Sequence, residues 1–202
     1  MPEFYHDLVT EKSFKILQEL KRQFEFTLIG GWAIYLYAKA LKSKDIDIVV
    51  DYDQLEKIKK MHNISKNDRL KKYEIKIEEI DIDIYLPHYS ELGLPAEEIK
   101  KSPHNLDGFS VPVPEILLIL KIYTFEKRKG TAKGEKDLID IFSLIKEGVI
   151  DWQKYKEIIK EHGLLEIDKK FKELIPSVRP ISEIGLSDHQ MSRLKKKVLG
   201  SL

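Results

Sequence analysis

The sequence predicts an α/β protein, with a mixed β-sheet flanked by helices at the front and a helical region behind it. Three observations carry this. Short β-branched or alternating segments are separated by helical periods as far as Leu86, the 3.6-residue period takes over from Glu115, and a proline-bearing stretch near Val111 to Pro114 joins the two patterns. The expected division is an α/β core over residues 1–112 and a C-terminal helical region over 113–202 packed on it.

The elements follow in order. Leu8, Phe14, Leu17, Leu20 and Phe24 recur at helical spacing, so Phe4 to Phe24 reads as an amphipathic helix. Phe26 to Ile29 is a short strand, broken by Gly30-Gly31; Trp32 to Leu41 is then a helix apolar nearly all round, which implies burial. Ile46 to Val50 alternates acids with β-branched residues as a strand does, and Asp53 to His62 reads as a surface helix capped by Asp51 or Asp53. Tyr73 to Leu86 alternates at length but slips at Glu78-Glu79, the mark of a bulge or a tight hairpin. Pro95 to Lys101 is an expected helix and Phe109 to Val113 an edge strand, where proline is tolerated. Helices are expected at Glu115 to Lys129, Glu135 to Glu147, Trp152 to His162, Leu164 to Leu174 and Asp188 to Leu202.

Bulk composition narrows the function classes. In 202 residues, 42% hydrophobic and 34% charged content is a globular balance, not a disordered or membrane one. No apolar run is long enough to cross a bilayer and Met1 to Thr10 lacks the pattern of a secretory signal, so a cytoplasmic location is expected. With no cysteine, disulfides, thiolate metal sites and a cysteine nucleophile are excluded. The six histidines show no zinc-binding spacing, and a net charge of +1 does not decide for or against nucleic acid. Abundant Lys, Glu and Ile without Cys hint at a thermophile.

The residues that can carry chemistry lie between Leu28 and Asp83. Gly30 and Gly31 stand where a strand turns into a helix, and glycine there lets backbone amides approach a triphosphate. Asp45 and Asp47 are two apart on a strand and share a face, so they repel unless a cation or a proton lies between them. Mg2+ prefers the carboxylate, water and phosphate oxygens that such a pair and a nucleotide supply. Asp81 and Asp83 repeat the spacing, and either is able to serve as the third carboxylate. Beside the first strand it would complete a site for two ions roughly 3.5–4 Å apart and take the proton of an attacking hydroxyl.

The order Gly-Gly, helix, Asp-x-Asp in an apolar strand and a later acid in an apolar strand resembles the DNA polymerase β-type nucleotidyltransferase superfamily. Ser43-Lys44-Asp45-Ile46-Asp47 matches its Thr/Ser-x-Asp-x-Asp form, and Pro114 to Lys121, Arg128 and Lys136-Asp137-Leu-Ile-Asp140 extend the likeness over about residues 26 to 145. Within the superfamily the chain is similar to small prokaryotic and archaeal nucleotidyltransferase-like proteins related to AbiEii-type toxins. The resemblance implies a nucleotidyltransferase fold in which Mg2+ is held by Asp45, Asp47 and Asp83 or Asp81. It implies an NTP, with ATP the expected one, bound by Gly30, Gly31, Ser43, Lys121 and Arg128. It further implies transfer of NMP to a hydroxyl of RNA or protein, with tRNA a possible acceptor and an antitoxin a possible partner.

Each signal has a blander reading. A Gly-Gly pair alone is a turn, an Asp-x-Asp pair alone a solvated strand face, and Lys121 alone a residue that reaches solvent from an apolar helix. Asp137 and Asp140 read as acids near a helix start, and the basic end from Arg193 to Lys197 as a solvated terminus. Two other function classes stand beside the enzyme: a catalytically inactive nucleotide-binding or protein-interaction module, and a phosphotransferase acting at the γ-phosphate.

Overall fold

A computed structural model describes residues 7–202; the expected helix start at Phe4 lies outside them. The described residues form two compact units, one ending at Val113 and the other beginning at Pro114.

In the first unit, helix α1 (Asp7–Gln23) buries Thr10, Ser13, Ile16, Leu17 and Leu20, whereas Leu8, expected on its apolar face, is exposed. Strand β1 (Thr27–Ile29) passes into α2 (Gly30–Ala38), which starts at the glycines and ends at Lys39 in the left-handed region. Then come β2 (Ile46–Val49), α3 (Tyr52–Met61), β3 (Ser65–Asn67), β4 (Lys72–Ile77), β5 (Ile80–Tyr85), α4 (Ala96–Lys100), β6 (His104–Leu106) and β7 (Phe109–Val111). Asp51 occupies the cap position of α3, but its carboxylate pairs with Lys100 rather than with the helix amides.

The main sheet has the order β1-β2-β5-β4-β3, and in it β2 and β5 are parallel while the other neighbours are antiparallel. The slip at Glu78-Glu79 is a tight hairpin, with Ile77 opposite Ile80 and Glu78 at φ 53°. Ile46, Ile48, Ile82 and Ile84 are completely buried, so the apolar set of the alternation forms the core side of the two central strands. The acids between them project from the other side.

Two strands escaped the sequence reading. β3 is a polar edge strand, Ser65-Lys66-Asn67, without a hydrophobic period. β6 pairs with β7 around Asp107-Gly108, both at positive φ, and that dipeptide is a hairpin signal in its own right.

The second unit contains α5 (Pro114–Arg128), α6 (Ala132–Glu147), α7 (Trp152–Glu161), α8 (Leu165–Ser177), a 3-10 turn (Ser182–Ile184) and α9 (Asp188–Ser201). Helix α5 packs on α6, α7 and α8, with Leu118, Ile122, Phe142, Tyr155, Phe171 and Ile175 in its core. Side chains set the helix starts: Thr131 accepts from Gly134 N, Asp151 from Gln153 N and Lys154 N, and Ser187 forms a capping box with Gln190.

Candidate active site on the sheet of the first unit

The parallel register sets Asp47 directly opposite Asp83, and the hairpin sets Glu74 opposite Asp83 from the other side. Directly opposed residues share a face, so Asp47, Asp83 and Glu74 form one row across three strands, at the usual inter-strand spacing of about 4.8 Å. Asp45 lies two residues before Asp47, in the bend that enters β2. The buried Ser43 fixes that bend by donating its hydroxyl to the Asp45 carbonyl at 3.0 Å.

Gly30 closes one flank of the row. Its φ is 67°, and a Cβ built there would stand 2.1 Å from Asp47 Oδ2. Both facts demand glycine, so the backbone meets the carboxylate where any side chain would displace it. Ile29, at the cap position of α2, makes no side-chain cap bond, so no side chain of that residue screens the first amides of the helix, at Gly30 and Gly31. Asp47 also accepts from the Tyr85 hydroxyl at 3.4 Å.

Lys72, two residues before Glu74 on the same face, bridges the other end of the row. Its ammonium lies 2.6 Å from Asp83 Oδ2 and 2.9 Å from Glu74 Oε1, with its side chain only 12% exposed. Burial opposes its charge, but the bonds to Asp83 and Glu74 outweigh burial and raise its pKa. Burial pushes the Asp83 carboxyl up; Lys72 pulls it down, Glu74 and Asp45 push it up, and the result lies above the ordinary value. Glu74 is held below its ordinary value by Lys72 and by Asn67, whose amide donates to it at 3.1 Å.

The chemistry of this donor set suits a hard divalent cation: carboxylates share one face beside helix amides, and the row attracts a positive group in Lys72. Among the described residues, no three His, Asp or Glu side chains form a group that could hold a metal ion. Asp83 is turned to Lys72 instead. Asp81 faces the same side, but its side chain is 55% exposed and lies 3.7 Å from Lys76. Sequence reasoning missed Lys72, Glu74 and Tyr85. The signal was present, because a two-residue turn at Glu78-Glu79 fixes Glu74 opposite Asp83.

Lys121 and Arg128 belong to the second unit. The Lys121 ammonium stands 2.8 Å from Asp137 and 2.7 Å from Asp140, both almost wholly buried, while Arg128, half exposed, is 3.6 Å from Asp137. Burial disfavours the Lys121 charge, but Asp140 and Asp137 outweigh burial and hold its pKa far above the ordinary range. The two acids therefore serve Lys121 rather than the helix start, since both lie beyond the first turn of α6. Trp32 is a core residue, 2% exposed, packed on Phe14 and donating to the Ser13 hydroxyl at 2.9 Å.

No protein-family profile and no curated protein matches the chain. Among solved structures it aligns with JHP933 from Helicobacter pylori at TM-score 0.55 and 14% identity, over 96% of this chain and 93% of that one. It aligns with ANT(2″)-Ia in complex with adenylyl-2″-tobramycin at TM-score 0.54 and 15% identity, over 80% of this chain and 99% of that one. A nucleotidyltransferase-like protein from Paracoccidioides brasiliensis aligns over 93% of this chain and 92% of that one at 15% identity, with TM-score 0.49. Identities this low speak for the fold alone: the chain has the nucleotidyltransferase fold.

Proposed function

We propose that the protein is a Mg2+-dependent nucleotidyltransferase that moves NMP from an NTP, ATP being the expected one, to a hydroxyl of a second molecule. The observation that carries the reading is the placing of Asp47 opposite Asp83, beside a Gly30 that has no room for a side chain. Asp45, Asp47 and Asp83 are the residues assigned to Mg2+, which when bound neutralises phosphate charge and aligns the attacking and leaving oxygens. Gly30 and Gly31 offer helix amides to phosphate oxygens, and Ser43 holds the Asp45 bend. The acceptor oxygen bonds to the α-phosphorus, the bond to the bridging oxygen breaks, and pyrophosphate leaves. Asp83 is assigned to take the acceptor's proton.

The chemistry is assigned to residues of the first unit. Lys121, held between Asp137 and Asp140, is given a structural role, and the half-exposed Arg128 is the residue assigned to a phosphate. The acceptor class rests on the resemblance to AbiEii-type toxins, which implies RNA, tRNA included, or a protein side chain, with an antitoxin as partner. ANT(2″)-Ia, seen with an adenylylated aminoglycoside, adds a small-molecule hydroxyl to the acceptors worth supplying. One observation favours the inactive-module reading: Lys72 supplies a protein cation to both Asp83 and Glu74. Incubation with Mg2+ and ATP labelled separately at the α- and γ-phosphates separates the readings. α-Label on RNA, protein or aminoglycoside supports nucleotidyl transfer, γ-label a kinase-like reaction, and no transfer to any acceptor the module.

A further inference from the structure

Lys72 touches two acids of unequal function. Asp83 lies opposite Asp47 and completes the row assigned to the metal, while Glu74 lies on the far side of Asp83, fixed by the Asn67 amide. Like charges directly opposed across two strands repel, and Lys72, bonded to both, holds the Asp83–Glu74 pair together. We propose that Lys72 is a placeholder cation for the metal: it occupies Asp83 while the site is empty and withdraws onto Glu74 when a divalent ion arrives.

The inference rests on the nucleotidyltransferase reading and adds to it a control on when the site assembles. Glu74 is a parking place already in contact, so release of Asp83 requires Lys72 to give up one of two bonds rather than to cross into solvent. The arrangement accounts for carboxylates of suitable chemistry that form no group of three able to hold an ion among the described residues. An enzyme built this way binds metal weakly alone and better together with a nucleotide, whose phosphates add ligands of their own.

The test is calorimetric titration of the full chain with Mn2+ in the absence of nucleotide. Lys72→Met removes the competitor and is expected to tighten Mn2+ binding on the order of tenfold, the scale of one close charge pair partly screened by solvent. Glu74→Gln removes the parking place and is expected to weaken binding several-fold, while Lys72→Arg, which keeps the charge, stays near the parent. Lys76→Met makes the same charge change at an exposed pair on the same face and is expected to shift binding less than about twofold, because solvent and salt screen it.

Unchanged or absent binding in Lys72→Met overturns the placeholder role, as does a Lys76→Met effect as large as that of Lys72→Met. Should Lys72→Met not fold, the loss expected in Glu74→Gln decides the matter, and unchanged binding there overturns the role. The reading beneath fails separately: it falls if Mn2+ with a non-hydrolysable ATP analogue binds Asp45→Asn/Asp47→Asn as well as the parent. A placeholder failure leaves that result intact.

Discussion

Each unit sets one lysine between two acids, Lys72 with Asp83 and Glu74 on the sheet and Lys121 with Asp137 and Asp140 in the helices. The surroundings differ. In the second unit the two acids are no more than 3% exposed, and Arg128 brings a second cation to Asp137, so charge is balanced within a closed cluster. On the sheet, Asp83 is 20% exposed, Asp47 stands opposite it, and Asp45 adds a carboxylate for which no described residue is an ion-pair partner. The same ingredients form a closed structural staple in the helices, and on the sheet the more open row that is proposed to take a cation.

Lys121→Met is the most severe way to break the comparison. It leaves two buried carboxylates without their principal partner and is expected to cost about 3–5 kcal/mol of stability by denaturant titration, the scale of a broken buried pair. The pH dependence follows the same pair. Because the folded pKa of Lys121 is raised, its contribution is fully present below its ordinary value of 10.5 and is lost as pH rises through the folded value.

On the sheet the signs reverse. Asp83→Asn is expected to lower nucleotidyl transfer on the order of a hundredfold or more while leaving stability unchanged or slightly raised, because it removes a desolvated charge from an acidic row. Gly30→Ala comes next: strain at a positive φ and the collision with Asp47 are expected to cost about 1–3 kcal/mol and to weaken metal binding at once.

The remaining effects are smaller. The raised Asp83 pKa means that its carboxyl keeps its proton to a higher pH than an ordinary aspartate, so metal affinity is expected to rise through a pH region above 3.8. The same shift favours folding with Asp83 protonated, an advantage lost as pH rises from 3.8 through the folded value, and both trends vanish in Asp83→Asn. Asp81→Asn, at an exposed side chain paired with Lys76, is expected to change transfer less than about threefold, which would fix Asp83 as the third carboxylate.

How much was legible in the sequence depends on whether a feature is local. Period and turn chemistry are local, so the strands of Asp45-Asp47 and Asp81-Asp83, the glycine-led helix and the five long helices of the second unit could be read before the fold was known. Register is not local. Nothing in Ile46 to Val49 says that Asp47 lies opposite Asp83, so the sequence leaves Asp81 and Asp83 as equal candidates. Lys72 was missed although the turn at Glu78-Glu79 sets the hairpin register, because it matters only through the acids to which its side chain bonds. Asp137 and Asp140 were read as helix-start acids because sequence shows helical position but not the lysine of a neighbouring helix.

The central claim is that the acids of β2 and β5 close on a divalent ion in the presence of a nucleotide. Crystals grown with Mn2+ and a non-hydrolysable ATP analogue test it most directly, through anomalous scattering at the manganese edge. The account predicts a manganese peak within ligand distance of carboxylate oxygens from Asp45, Asp47 and Asp83, with the Lys72 ammonium on Glu74 alone. Manganese bound elsewhere, or nucleotide bound with no metal among these three residues, would contradict it.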